Sequence, residues 1–305
     1  MQALTRQQLV LLVFLTLVWG FNWPVMKVGV TGFPPLTFRT LSMWLGLPVL
    51  ALALVVLKVP FRLPRRHWGE LLVLSATNMF VWHLCMILAV RTLSSGRAAI
   101  LGYTMPIFSA VIGAWFFSAV LSRRAWTGVG AAAFGVVLLL WHELTNLAGR
   151  PTGVVLALVA AATWALGTQL LRRTRIDVPT LTLSFWMTVL TTVVMTAAAT
   201  VFESRDWQRP PPLVAWAIAF NAVLIFGFAQ ATWFALARGL PPVASTLSVM
   251  MIPVLGVFSG AVWLREPVHW QDWAAVALMV VAIASVLWPA RAFVPSTKRE
   301  AAAGE

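Results

Sequence analysis

Apolar residues follow one another for about twenty positions at a time along this chain, and the charged residues fall in the short breaks between those runs. A helix needs about 20 largely apolar residues to cross the hydrocarbon core of a bilayer. Runs of that kind predict ten spans: Gln8–Met26, Pro35–Leu57, Gly69–Val90, Ala98–Phe117, Trp126–Trp141, Thr152–Leu171, Val178–Val201, Leu213–Ala237, Val243–Leu264 and Trp270–Ala290. The fifth is the shortest. The first could be a signal peptide, but it lacks a small-residue cleavage site and continues through Trp19 to Pro24, so it is expected to be retained.

Composition agrees with the pattern. Hydrophobic residues make up 60% of the chain and charged residues 10%, with a mean hydropathy of +0.87. A soluble domain carries about 25% charged residues, whereas a bilayer accepts an apolar outer face as its solvent. A net charge of +13 would suit a nucleic-acid partner if the bases shared one soluble face. They sit instead in short clusters between spans, where loop charges set orientation. With the N-terminus inside, the inner loops hold 14 Lys and Arg residues: Arg6, Lys58, Arg62, Arg65, Arg66, Arg123, Arg124, Arg172, Arg173, Arg175, Arg238, Arg291, Lys298 and Arg299. The outer loops hold 7: Lys27, Arg91, Arg97, Arg150, Arg205, Arg209 and Arg265. Both termini are therefore expected in the cytoplasm. The excess of Arg over Lys and the abundance of Ala suggest a bacterial source, hence an inner membrane. Cys85 is the only cysteine and forms no intrachain disulfide.

Tryptophans divide by depth. Trp68, Trp126, Trp141, Trp207, Trp270, Trp273 and Trp288 fall near span ends, as interfacial rings do. Trp44, Trp82, Trp164, Trp186 and Trp233 fall deeper, where they either pack or line a pocket for an apolar or aromatic ligand.

The chain resembles itself. An offset of 147 pairs Arg91 with Arg238, Leu93 with Leu240, Pro106 with Pro253, Gly113 with Gly260, Ala114 with Ala261 and Trp126 with Trp273. Near the starts of the halves an offset of 145 pairs Trp19 with Trp164. The expected organisation is an all-α integral membrane fold of ten transmembrane helices as two five-helix repeats, 1–150 and 151–305. Five is odd, so the second half enters from the opposite side. Inverted repeats of this kind place a transporter's site near the midplane between halves.

Val18-Trp19-Gly20-Phe21-Asn22-Trp23 resembles the Trp-Gly-(small)-Asn-(aromatic) signature of EamA-type transporters of the drug/metabolite transporter superfamily. The segment from Leu88 through Arg91 and Ser94-Ser95-Gly96-Arg97 to Ala99, followed by Pro106, is similar to that family's junction between third and fourth helices. Ala235 to Pro253 and on to Trp263-Leu264-Arg265-Glu266-Pro267 is similar to the second-half counterpart. The resemblance covers nearly the whole chain. It implies a ten-helix carrier exporting small metabolites, often amino acids, most like the aromatic amino-acid exporters.

Nine residues are acidic, and each lies in a loop, a tail or a span end. Proton relays and organic-cation sites usually use a buried carboxylate. The related small cationic-drug exporters carry one along the first helix, where this chain reads Leu11 to Leu17 without any. An anionic substrate would want a buried base, and Arg39 alone is partly within a span, near its outer end. The expected substrate is therefore neutral or zwitterionic.

His83 lies well inside the third span, and the offset of 147 pairs it with Gln230. Either it is a hydrogen-bonded core residue, or it shares one wet cavity with Gln230. Asn78 and Trp82 sit four apart beside it. Tyr103, the only tyrosine, precedes Pro106 by three residues; it reads as interfacial or as a substrate contact. Pro106 and Pro253 mark helix bends or gates. Trp19, Asn22 and Trp23 share one helical turn, which either exits at Pro24 or lines the cavity.

The expected binding set is Trp19, Asn22, Trp82, His83, Tyr103, Trp164 and Gln230. No metal is expected, since no second His, Cys or carboxylate stands at ligand spacing from His83. No cofactor or nucleic acid is expected either, and no phosphate loop or nucleophile elbow supports an enzyme. The reading is a monomeric secondary transporter for small metabolites, by alternating access. A proton-coupled exporter and, more remotely, a membrane-embedded enzyme stand as alternatives.

Overall fold

The computed structural model describes residues 6–118, 120, 122–145, 151–229, 232 and 242–287, with side chains at 140, 142–145, 242–250, 286 and 287 left outside the description. Among the described residues every regular element is helical: α1 Arg6–Val30, α2 Pro35–Val56, α3 Trp68–Ser75, α4 Val81–Thr92, α5 Ser95–Gly102, α6 Met105–Phe117, α7 Arg123–Thr145, α8 Pro151–Leu171, α9 Thr180–Glu203, α10 Pro212–Phe220, α11 Pro242–Leu264 and α12 Trp270–Leu287. A π-helical stretch, Ala76–Phe80, joins α3 to α4, and a second, Asn221–Ala229, extends α10.

Among the described residues seven stretches are long and apolar enough to cross a membrane: Arg6–Val30, Pro35–Val56, Arg65–Thr92, Ser95–Phe117, Pro151–Leu171, Thr180–Asp206 and Pro212–Ala229. The chain is an integral membrane protein. The fifth predicted segment lies within α7, which runs 23 residues from Arg123 to Thr145. The ninth and tenth fall on α11 and α12.

Helices in lipid gain little from mutual apolar contact, so small residues that let backbones approach decide where they cross. At the crossing of α5 and α11, a Cβ on Gly96 would lie 2.9 Å from Cα of Val257, and one on Gly256 would lie 2.6 Å from Cβ of Ala99. Across the fold, α1 packs on α11 and α8 on α5 and α6; α2 packs on Asn221–Ala229 and α9 on α3 and Ala76–Phe80. The helix α8 also packs on α4, α1 on α10, and α7 on α12.

Two expectations about proline resolve differently. The fourth segment breaks at a turn over Tyr103 and Thr104, and Pro106 occupies the first turn of α6, where its missing N–H costs nothing. Tyr103 and Pro106 are therefore not on one continuous helix. The helix α11, by contrast, runs through Pro253 without interruption.

Charges expected in loops close helix ends. The buried Glu203 carboxylate accepts from the backbone N–H of Leu36 (2.9 Å) and Thr37 (2.7 Å) and from the Thr37 hydroxyl (2.8 Å) at the start of α2. Glu266 accepts in the same way from Ser95 N–H (2.9 Å) and hydroxyl (2.7 Å) at the start of α5. Lys27 donates to the carbonyls of Val90 (3.0 Å), Arg91 (3.1 Å) and Leu93 (2.7 Å) at the end of α4. Each places a charge where the helix dipole favours it.

Glu203→Ala leaves two N–H groups of α2 without that acceptor. A cost of about 1.5–3 kcal/mol is expected for charge-assisted bonds, read as a lower melting temperature of detergent-purified protein. An unchanged melting temperature would show that the cap is dispensable.

Candidate functional site

A cavity of about 310 Å³ lies among α1, α2, the α3–α4 stretch, the turn at Tyr103, α8, α9 and Asn221–Ala229. Trp19, Asn22, Trp82, His83, Tyr103 and Trp164 all line it. Gln230 lies outside the described residues. Pro106 and Pro253 are not part of the lining.

Helical spacing explains the wall. Trp19, Asn22, Trp23 and Met26 stand at i, i+3, i+4 and i+7 on α1, one face of two turns. The helix does not exit at Pro24 but continues to Val30, and Asn22 and Trp23 are buried. Asn78, Met79, Trp82, His83 and Met86 form the facing wall from the third stretch. Its π-helical turn packs hard against α8: a Cβ on Gly167 would lie 2.5 Å from Asn78 Nδ2 and 2.8 Å from Asn78 N. That approach sets Trp164, nearly one turn before Gly167, against Trp82 with ring centroids 5.1 Å apart. Tyr103 is buried edge-on to Trp23, with centroids 6.3 Å apart.

Of the other deep tryptophans, Trp44 is exposed and donates to Thr196 Oγ1 (2.9 Å), and Trp186 donates to the Phe61 carbonyl (2.7 Å) beside Trp68. They pack rather than line. Trp233 is outside the described residues.

Three of the polar side chains in this lining keep atoms without partners among the described residues. Among the described residues neither ring nitrogen of His83 has a hydrogen-bond partner, nor has Asn22 Oδ1. A hydrogen-bonded core histidine, one of the two expectations, does not describe His83. Its ring rests on Phe226, with centroids 5.4 Å apart.

Arg39, outside the expected binding set, is 2% exposed and lines the cavity. Nη1 donates to Asn221 Oδ1 (3.3 Å), Nη2 meets Met26 Sδ (2.7 Å), and the guanidinium carbon stands 5.8 Å from the Phe226 ring centroid. Nε has no partner. Among the described residues no carboxylate pairs with it. Asn221 and Phe226 are far away in sequence and Met26 lies on the preceding helix, so spacing carried no signal for them. Among the described residues no three His, Cys, Asp or Glu side chains are grouped to hold a metal. The arrangement can enclose a small ligand, stack on it and offer hydrogen bonds.

The sequence profile of the EamA-like transporter family matches residues 7–141 and again residues 151–288. The chain belongs to that family. This EamA-like transporter is similar over 84% of its length to the Bacillus subtilis uncharacterized transporter YoaV, at 24% identity and 88% of that protein. The Escherichia coli inner membrane transporter YedA, also named uncharacterized, is 25% identical over 94% of each chain. A Salmonella typhimurium protein named a probable amino-acid metabolite efflux pump is 23% identical over 92% of this chain and 94% of its own. A solved crystal structure shares the fold, with a TM-score of 0.68 at 21% identity over 94% of this chain and 99% of the other.

Gly167→Ala drives a methyl into the backbone of the π-helical turn. A loss of about 1–3 kcal/mol is expected from such overpacking, seen as reduced thermal stability together with weakened ligand binding. Unaltered stability would mean that α8 stands off this wall.

Proposed function

We propose that this EamA-like transporter is a secondary carrier that exports small neutral or zwitterionic metabolites, chiefly amino acids with aromatic or apolar side chains, by alternating access around the central cavity. The observation that carries the reading is the lining itself. Aromatic and methionine side chains make most of the wall, and among its described polar groups Asn22 Oδ1, Arg39 Nε and both ring nitrogens of His83 are buried with no hydrogen-bond partner. Pockets that bind small molecules are largely apolar with a few placed polar groups, and about 300 Å³ is the small end of their range. Saturable flux without product distinguishes such a carrier from an enzyme. The cavity's described lining holds no carboxylate, which supports facilitated diffusion rather than proton coupling.

Ten helices as two inverted repeats, 1–150 and 151–305, are the proposed frame. The family profile matches twice. Residues 147 apart share local geometry: Ser118 and Arg265, each just after its helix, both have φ 54°. The two π-helical stretches overlap at the same offset. Helix contacts also pair off: α1 with α11 answers α8 with α5, and α2 with Asn221–Ala229 answers α9 with Ala76–Phe80. The carrier is proposed to work as a monomer in a bacterial inner membrane, with both termini cytoplasmic on the ratio of 14 to 7 basic loop residues.

Counterflow of labelled amino acids in proteoliposomes tests the function. Saturable exchange of an aromatic or branched apolar amino acid is expected, and absence of exchange across the whole panel refutes the proposal. His83→Ala is expected to raise the apparent KM about ten- to a hundred-fold, the weight of a hydrogen bond to a charged group. Normal kinetics at normal membrane level would return His83 to a packing role.

Orientation is tested separately. In Ser296→Cys, with Cys85 replaced to clear the background, the new thiol should resist impermeant reagents in intact cells. Labelling from outside would invert the proposed topology.

A further inference from the structure

We propose that Arg39 anchors a substrate carboxylate, so that the cavity selects acids over their amide and amine analogues. This rests on the transport reading and names the substrate class of the same site.

A guanidinium buried inside a protein is costly unless something answers its charge. A structural arginine is answered by a carboxylate or by enough carbonyl oxygens to use its donors. Arg39 is 2% exposed, and among the described residues no carboxylate pairs with it. What it has is an amide oxygen, a thioether sulfur and a ring face. These are neutral partners, and a thioether is a weak acceptor. Nε is left over. The planar fork of an arginine matches a carboxylate in two-point contact. Such a ligand group would supply the missing charge.

The surroundings fit the rest of an amino acid. His83 packs on the same Phe226 ring as Arg39, and both of its nitrogens are free. Asn22 Oδ1, an acceptor without a donor, suits an ammonium group. The Trp82–Trp164 pair offers ring faces to a side chain. Among the described lining residues Arg39 is the only Lys or Arg, so one negative charge is matched and a phosphate dianion is not.

The test compares three probes that share a ring: L-phenylalanine, L-phenylalaninamide and phenethylamine. Binding to the detergent-purified full chain is read by thermal stabilisation, and flux by uptake into proteoliposomes. Phenylalanine is expected to bind wild type about ten- to a hundred-fold more tightly than either analogue. In Arg39→Gln only the acid should weaken, so the ratio falls to about twofold or less, with Arg39→Lys between the two. A merely structural arginine would weaken all three alike.

Equal binding of acid and amide by wild type overturns the anchor, as does a ratio that survives Arg39→Gln. Should that variant not fold, Arg39→Lys and the wild-type ratio decide. Absence of stabilisation by phenylalanine and by every other apolar amino acid also overturns it. Saturable flux of acid and amide alike removes the anchor and leaves the carrier. An Arg39-dependent ratio in binding, with no flux of any probe, removes the carrier and leaves the anchor.

Discussion

Lipid supplies no hydrogen bonds, so each polar group carried into the membrane must be answered from within the chain. The helices answer the backbone. The side chains follow the same rule along α9, where Thr188, Thr192, Thr196 and Thr200 each donate to the carbonyl one turn back, at 2.7–2.8 Å. At helix ends the open N–H and C=O groups are met by Glu203, Glu266 and Lys27. These ties join elements far apart in sequence, Glu203 to α2 and Glu266 to α5. The requirement to satisfy polar groups thereby also fixes which helices are neighbours.

Against that background the exceptions have a location. Asn22, Arg39 and His83 all keep polar atoms without partners, and all three line the cavity. The remaining unpartnered groups among the described residues are the hydroxyls of Thr40, Ser184 and Thr191 and the amide oxygen of Gln271, none of them on the lining. A lone hydroxyl forfeits one weak bond, whereas an unanswered guanidinium forfeits far more. Among the described residues the unpartnered charged and imidazole groups thus fall together on the cavity lining, whereas the unpartnered groups elsewhere are hydroxyls and one amide oxygen.

Much of this was legible in the sequence, for definite reasons. A bilayer demands apolar runs of fixed length, so spans could be read directly. Depth within an apolar run marked Trp82 and Trp164, which now meet with ring centroids 5.1 Å apart, whereas the pairing of His83 with Gln230 falls outside the described residues. Arg39 was noticed as the one base partly within a span but not placed in the binding set, because its neighbours in the cavity, Asn221 and Phe226, lie on a helix far along the chain. Met26 and Phe226 were missed because an apolar residue in an apolar run carries no signal. Gly167 and the two π-helical stretches show only when the helices are packed. Glu203, Glu266 and Lys27 read as loop charges because their targets are carbonyls and amides, which every sequence has everywhere.

The proposed repeat explains why such a cavity would hold its ligand in one orientation. At the offset of 145, Trp19, Trp23 and Met26 correspond to Trp164, Thr168 and Leu171; at 147, Asn78 and Met79 correspond to Ile225 and Phe226; all ten line the cavity. In that proposed frame the halves would share a backbone but not a chemistry. Asn22, Arg39, Asn78 and His83 put the hydrogen-bonding groups in the first half, whereas the described second-half lining, apart from Trp164 and Thr168, is leucine, methionine, isoleucine and phenylalanine. A ligand with one polar and one apolar end would gain from only one of its two placements between such walls. Sites that require a polar group on the ligand reject analogues lacking it far more strongly than apolar pockets reject a change of one methylene. Selectivity in this design would therefore be strict at the polar end and permissive along the side chain.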